Sequence, residues 1–341
     1  MRRSVKSALG LTSLLTLACA GCSSGGDGSG AAVGGGAPES SASAPSSASS
    51  PPFEPYVSAT TASDTDSAGS PSTYNLEFVL SDSSSCLPKW SGTYAIDNTA
   101  VKSRISALTT SGAALRVSFG GATGTELAQT CDSASALAKA YGKALDAVHA
   151  TQADFDIEGD ALTDSASIDL RSKAIAILQK ERTDLKVSFT LPVFPDGLSD
   201  DGLAVLNSAN TNAVMVSTVN IMAMDYGTSY TGDMSDYAIS AAKATHDQLK
   251  DVFALSDDNA WHGLALTSMI GVNDVAGETF TLSDAAAVRS FAEDKGLAWL
   301  SMWSTFRDKQ CEETASASDG ASTDCSGVAQ KDGAFAEALS G

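Results

Sequence analysis

Short apolar runs and longer amphipathic stretches take turns along most of this chain. The β-rich runs span residues 53–58, 74–80, 115–121, 153–158, 186–193, 219–226, 264–271 and 297–303. Several are near-continuous apolar segments, the pattern of strands covered by helices outside and packed side chains inside. Between them lie helix-period segments at 134–149, 168–180, 237–252 and 283–294, the last opened by the polar pair Ser283-Asp284. Eight strand–helix alternations predict an α/β fold of the (β/α)8 (TIM) barrel class, as a single domain. The first crossover, 59–73, is short and polar and contains Gly69 and Pro71, so its helix is predicted to be reduced or missing.

The N-terminal part does not follow this pattern. Arg2, Arg3 and Lys6 precede an apolar run from Ala8 to Ala20 that is too short to span a bilayer. Residues 1–21 read as a secretory signal peptide. Small residues Ala20 and Gly21 lead into Cys22, a stretch that resembles a bacterial lipobox and makes Cys22 the expected lipidation site. Residues 22–51 are almost wholly Ser, Gly, Ala and Pro. They cannot bury enough apolar surface to offset their ordering entropy, so they read as a disordered tether. The barrel then occupies 52–341. A lipid-anchored protein on the outer face of the membrane, or a secreted one, is the expected location, with the lipid as its only membrane contact.

Net charge is −20, which opposes binding to nucleic acid and otherwise serves solubility. Beyond the signal the cysteines are Cys86, Cys131, Cys311 and Cys325, an even set that favours disulfides in an exported chain. Their number alone allows three pairings. Placed on the barrel, Cys86 and Cys131 follow neighbouring strands, while Cys311 and Cys325 flank one loop after the last strand. The expected pairs are therefore Cys86–Cys131 and Cys311–Cys325. No Cys-x-x-Cys occurs and His149, His246 and His262 are scattered, so no metal and no cofactor is expected, and the chain is taken as a monomer.

The chemistry concentrates in the fourth run, Ala153-Asp154-Phe155-Asp156-Ile157-Glu158. Alternate residues of a strand share a face, so Asp154, Asp156 and Glu158 point one way and Phe155 and Ile157 the other. Apolar residues suit the helix layer, which turns three carboxyls into the barrel. Like charges so confined share protons, and at least one carboxyl is held protonated to higher pH. Active sites of this fold sit at the C-terminal strand ends, and Glu158 lies nearest that end.

This Asp-x-Asp-x-Glu resembles the fourth-strand signature of glycoside hydrolase family 18. Ser118-Phe119-Gly120-Gly121 is similar to that family's third-strand Ser-x-Gly-Gly. Met222-Ala223-Met224-Asp225-Tyr226 resembles its sixth-strand Met-x-Tyr-Asp, with Met224 where tyrosine is usual. Trp303 matches the tryptophan that floors the sugar site. The resemblance runs from about Phe53 to the C-terminus. It implies a chitinase-type hydrolase acting on chitin or N-acetylglucosamine oligosaccharides by a substrate-assisted, retaining route. By the same resemblance Glu158 is the general acid and Asp156 orients the acetamido group. Asp154 shares a proton with Asp156 from below, and Asp225 helps position the acetamido group. Trp303, Met222 and Met224 are substrate-binding positions, and Ser118, Gly120 and Gly121 are small structural ones. Tyr226, of the same strand parity as Met224, is expected to supply the missing phenol. Two alternatives stay open: an endo-β-N-acetylglucosaminidase acting on N-glycans, and a non-catalytic carbohydrate-binding protein on the same barrel.

Overall fold

The computed structural model describes residues 50–312 and 321–341. The signal segment, Cys22 and nearly all of the tether lie outside the described residues. Eight parallel strands form the barrel: β1 (Tyr56–Ser58), β2 (Thr73–Leu80), β3 (Ala114–Gly120), β4 (Gln152–Asp156), β5 (Lys186–Pro192), β6 (Val216–Met222), β7 (Leu264–Met269) and β8 (Leu300–Trp303). Each pairs with its sequence neighbour. The ring closes where Glu54 N–H donates to Leu300 O (2.8 Å) and Leu300 N–H donates to Pro52 O (2.9 Å).

Outside this ring lie α1 (Thr99–Leu108), α2 (Ala134–Val148), α3 (Gly159–Thr163), α4 (Ser165–Glu181), α5 (Asp200–Thr211), α6 (Met234–Phe253), α7 (Asp257–His262), α8 (Leu282–Lys295) and α9 (Ala334–Ser340). The start of α8 falls slightly earlier than its sequence suggests. Thr281 is the cap, its hydroxyl accepting the Asp284 N–H while the Asp284 carboxyl accepts the Thr281 N–H.

Between β1 and β2 there is no helix. The connection is pinned by Asp66, whose carboxylate accepts from Ser63 N–H (2.8 Å), Thr305 Oγ1 (2.8 Å) and Arg104 Nη2 (2.6 Å). Gly69, with φ +69°, lies so close to α9 that a Cβ there would meet the Ala336 carbonyl oxygen at 2.6 Å. A hairpin that periodicity did not suggest, Lys89–Trp90 with Tyr94–Ala95, extends the sheet from β2. Disulfides join Cys86 to Cys131, across the loops after β2 and β3, and Cys311 to Cys325.

The strands sort their side chains by parity. On the outer face Phe119, Phe155 and Phe189 occupy paired positions of β3, β4 and β5, and Tyr141 of α2 packs on the first two, with centroids 4.7 and 5.0 Å away. The opposite parity carries Arg116, Ser118, Asp154, Asp156, Ser188, Thr190, Asn220 and Thr267, all buried. The interior is thus largely polar rather than aliphatic. At its lower end Arg116 is paired with Glu54 (2.8 Å), hydrogen-bonds Asn75 and Gln152 (2.8 Å each), and stacks on Trp299.

One buried ion pair fastens the helix layer to the third strand's loop. Glu126 accepts from Arg171 of α4 (2.9 Å), from Tyr141 of α2 (2.7 Å) and from the Ala128 N–H (2.8 Å). Arg171→Ala would leave the Glu126 carboxylate without its cation in a dry site. A loss of about 3–5 kcal/mol of folding stability is expected, read from chemical denaturation. A change within experimental error would mean that the other two donors suffice.

Candidate functional site

The acids of β4 owe their direction to the apolar residues between them. Ala153 and Phe155 pack outward, so Asp154 and Asp156 turn inward at 1% and 4% exposure. The pairing runs one step past the strand, with Ile157 N–H donating to Thr190 O at 3.0 Å. Glu158 then caps α3 in extended conformation (φ −135°), and Gly159 takes φ +51° to turn the chain away. The third carboxyl is thereby left at the mouth of the barrel.

Asp154 is the deepest of the three. Its Oδ1 accepts from Ser188 Oγ (2.6 Å) and Thr190 Oγ1 (2.9 Å). Its Oδ2 accepts from Ser118 Oγ (2.7 Å) and the Tyr56 hydroxyl (3.1 Å). Behind them Asn220 Nδ2 donates to Thr190 Oγ1 (3.0 Å), and Thr267 Oγ1 donates to Asn220 Oδ1 (2.9 Å). Hydroxyls thus approach both oxygens of Asp154. One layer up, Asp156 is hydrogen-bonded to Glu158. Burial, then the charges of Glu158 and Asp154, push the Asp156 carboxyl well above the usual range. Burial also pushes Glu158 up to about 7; its hydrogen bond with Asp156 opposes the rise and the Asp225 charge adds to it. A proton held jointly by two carboxyls at neutral pH is the chemical resource of this site.

These groups face a cleft of about 500 Å³ at the C-terminal strand ends. Trp303 forms one wall, stacked on Phe78 (centroids 5.7 Å apart) and edge-on to Tyr56 (5.9 Å). Met222, Met224 and Asp225 line it as well. Asp225 adopts φ +52° and accepts the Val275 N–H at 3.0 Å; burial raises its carboxyl above the ordinary value. Among the described residues no group of His, Cys, Asp and Glu is arranged to hold a metal ion.

Tyr226 requires a correction. It does not line the cleft but is buried beside Tyr230 and Tyr237, with centroids 5.9 and 5.8 Å away. Strand β6 ends at Met222, the Met224 N–H folds back onto Met222 O (3.0 Å), and Asp225 is left-handed. Strand parity therefore stops before Tyr226, and its phenol cannot replace the one missing at Met224. Ser118 also does more than its small size suggested, since its hydroxyl holds Asp154. Tyr56, Ser188 and Thr190 were not singled out from sequence. The alternation Val187-Ser188-Phe189-Thr190-Leu191 carried the signal for two of them, polar residues at inward positions between apolar outward ones.

Known proteins are similar to this chain over much of its length. The chain is 35% identical over 275 residues to the probable bifunctional chitinase/lysozyme of Escherichia coli, a match covering 75% of this chain and 31% of that protein. It is 35% identical over 228 residues to endochitinase 11 of Metarhizium anisopliae, covering 63% of this chain and 44% of that one. The chain thus spans less than half the length of these two curated relatives. The catalytic domain of a hyperthermophilic chitinase from Pyrococcus furiosus superposes with a TM-score of 0.74 at 30% identity, covering 84% of this chain and 93% of that one. A family 18 chitinase from Pseudoalteromonas aurantia shares the fold at a TM-score of 0.51 and 15% identity, covering 74% and 93%. No protein-family model matches the chain.

The Asp156–Glu158 pair also makes stability depend on pH. In the unfolded chain Glu158 loses its proton near 4.5, whereas in the fold it keeps it to about 7. Between those values the folded state binds more protons, so stability falls as pH rises. Compared with an Asp156→Asn/Glu158→Gln double variant, the parent should lose melting temperature as pH rises across this window. Parallel curves throughout would show that neither carboxyl is displaced from its solution behaviour.

Proposed function

The chain belongs to glycoside hydrolase family 18, and from that premise we propose that its barrel is a chitinase-type hydrolase cleaving β-1,4 bonds between N-acetylglucosamine units. The observation that carries the reading is the hydrogen-bonded Asp156–Glu158 pair at the mouth of the cleft, beside the Trp303 wall. Glu158, holding its proton to about 7, has what is needed to protonate a glycosidic oxygen at neutral pH.

In this proposal the substrate supplies the nucleophile. Its acetamido carbonyl oxygen bonds to the anomeric carbon as the bond to the leaving sugar breaks and Glu158 delivers its proton to the departing oxygen. Water then adds to the same carbon, giving a proton back to Glu158 and restoring the acetamido group with retained configuration. Asp156 orients the acetamido N–H and balances the positive charge that develops on the group. Asp225 assists from the β6 side, where Met222 and Met224 give an apolar surface. The indole of Trp303 meets the flat apolar face of the sugar. Asp154, held by four hydroxyls, lies beneath Asp156 and its charge helps to keep that carboxyl protonated.

We further propose that lipid on Cys22 holds the protein to the outer face of the membrane, with the 22–51 tether spacing the barrel from it. The support is the lipobox-like Ala20-Gly21-Cys22 and the composition that follows. No helix among the described residues is long and apolar enough to cross a membrane. Metabolic labelling with a fatty acid should mark the parent and not Cys22→Ala. Labelling of both, or of neither, would overturn the anchor.

Glu158→Gln keeps shape and hydrogen bonding but has no proton to give. Hydrolysis of chitin oligosaccharides should fall by roughly 10²–10⁴-fold or more with binding largely kept. Asp156→Asn should also turn over slowly, and an oligosaccharide lacking the N-acetyl group on the attacked unit should not be cut. Near-parental hydrolysis by Glu158→Gln would dismiss the assignment. A parent that binds without cleaving would be a carbohydrate-binding protein, and preferential release of N-glycans would favour the endo-β-N-acetylglucosaminidase.

A further inference from the structure

Glu77 is a carboxyl of the cleft that the proposed reaction leaves unused. It lies on β2, paired with Ser58 of β1, two residues beyond Asn75. The Asn75 side chain is inside the barrel, where it accepts from Arg116. The same parity brings Glu77 inward one layer higher, and it lines the cleft with Tyr56, Phe78 and Asp156. It is 8% exposed, and its Oε2 has no hydrogen-bond partner among the described residues.

The fold gains little from such a group. A buried carboxyl without a partner pays its desolvation in full, and an aliphatic side chain would pack there without that penalty. The potential partners nearby are committed elsewhere. The Tyr56 hydroxyl donates to Asp154, and the Arg104 guanidinium is held by Asp66 (2.6 Å). Burial, and after it the Asp66 charge, pushes the Glu77 carboxyl up to about 8, so at neutral pH it presents both a donor and an acceptor to the cleft.

We propose that Glu77 is a further substrate-contacting residue, its carboxyl group exchanging hydrogen bonds with a hydroxyl or acetamido group of a sugar unit bound beside the Phe78–Trp303 pair. This rests on the reading of the cleft as a site for N-acetylglucosamine chains. A sugar ring fits the requirement: its rim offers hydroxyls to a partnerless carboxyl while its face covers the aromatic wall. A hydrogen bond from the sugar then offsets the desolvation of the Glu77 carboxyl. The titratable groups facing Glu77 are Tyr56 from β1, Asp66 from the β1–β2 connection and Asp156 from β4. All three are acids, so loss of the Glu77 proton adds like charge to the site as well as removing a donor.

Steady-state kinetics on a chitin oligosaccharide test the assignment. Glu77→Ala should raise KM about tenfold, equivalent to about 1.4 kcal/mol, with kcat within about twofold of the parent. Glu77→Gln, which keeps a donor and an acceptor, should fall closer to the parent. The parent's KM should rise as pH passes about 8, and that rise should be missing in Glu77→Gln. Parental KM in both variants would overturn the proposal and leave Glu77 a packing residue. A fall in kcat at unchanged KM would overturn it too, because Glu77 would then act through Asp156. If the parent itself neither bound nor cleaved the oligosaccharide, the chitinase reading would fall and this one with it.

Discussion

A carboxylate sealed inside a barrel must be given hydrogen bonds from within, and the architecture of this site follows from how Asp154 obtains them. Four hydroxyls donate to it, from Tyr56 on β1, Ser118 on β3, and Ser188 and Thr190 on β5. Three strands besides its own are thus tied to one group near the barrel axis. Hydrogen bonds to a charged acceptor in a dry interior are among the stronger polar contacts a protein makes. The second tier, Asn220 and Thr267, carries the network round to β6 and β7.

One layer up the carboxyls keep their protons to higher pH than in water: burial and the charges of Glu158 and Asp154 push Asp156 well up, and burial pushes Glu158 to about 7. Asp154 lies beneath the cleft, and Asp156 and Glu158 line it. Such a site suits an uncharged substrate. A chain with net charge −20 and a carboxyl-lined cleft would repel anions, whereas a sugar with polar edges and apolar faces meets both kinds of wall.

The sixth strand shows how local backbone decides which side chains serve. Four residues after the pairing of Met222 the chain has folded back on itself and passed through a left-handed Asp225. Asp225 and Met224 face the cleft, and Tyr226 joins a buried cluster of tyrosines. This chain thus presents the Met224 thioether to the cleft and keeps the Tyr226 phenol buried away from it.

The eightfold alternation, the position of the acidic strand within it and the inward parity of Asp154, Asp156 and Glu158 could all be read from the order of residues. They depend on periodicity, which is local: an outward Phe155 fixes its neighbours wherever the strand sits. The poor first crossover was legible for the same reason, since residues 59–72 lack any helical period. What lay beyond the sequence were relations between strands. Periodicity does not say that Ser118 and Ser188 stand level with Asp154 across the sheet, because register is set by the closed ring and its stagger. Nor could it say which hydroxyls reach Asp154, because they arrive from distant segments. Tyr226 marks the boundary: parity predicted its direction only while the strand lasted, and the point where β6 stops pairing is decided by tertiary contacts that no single segment contains.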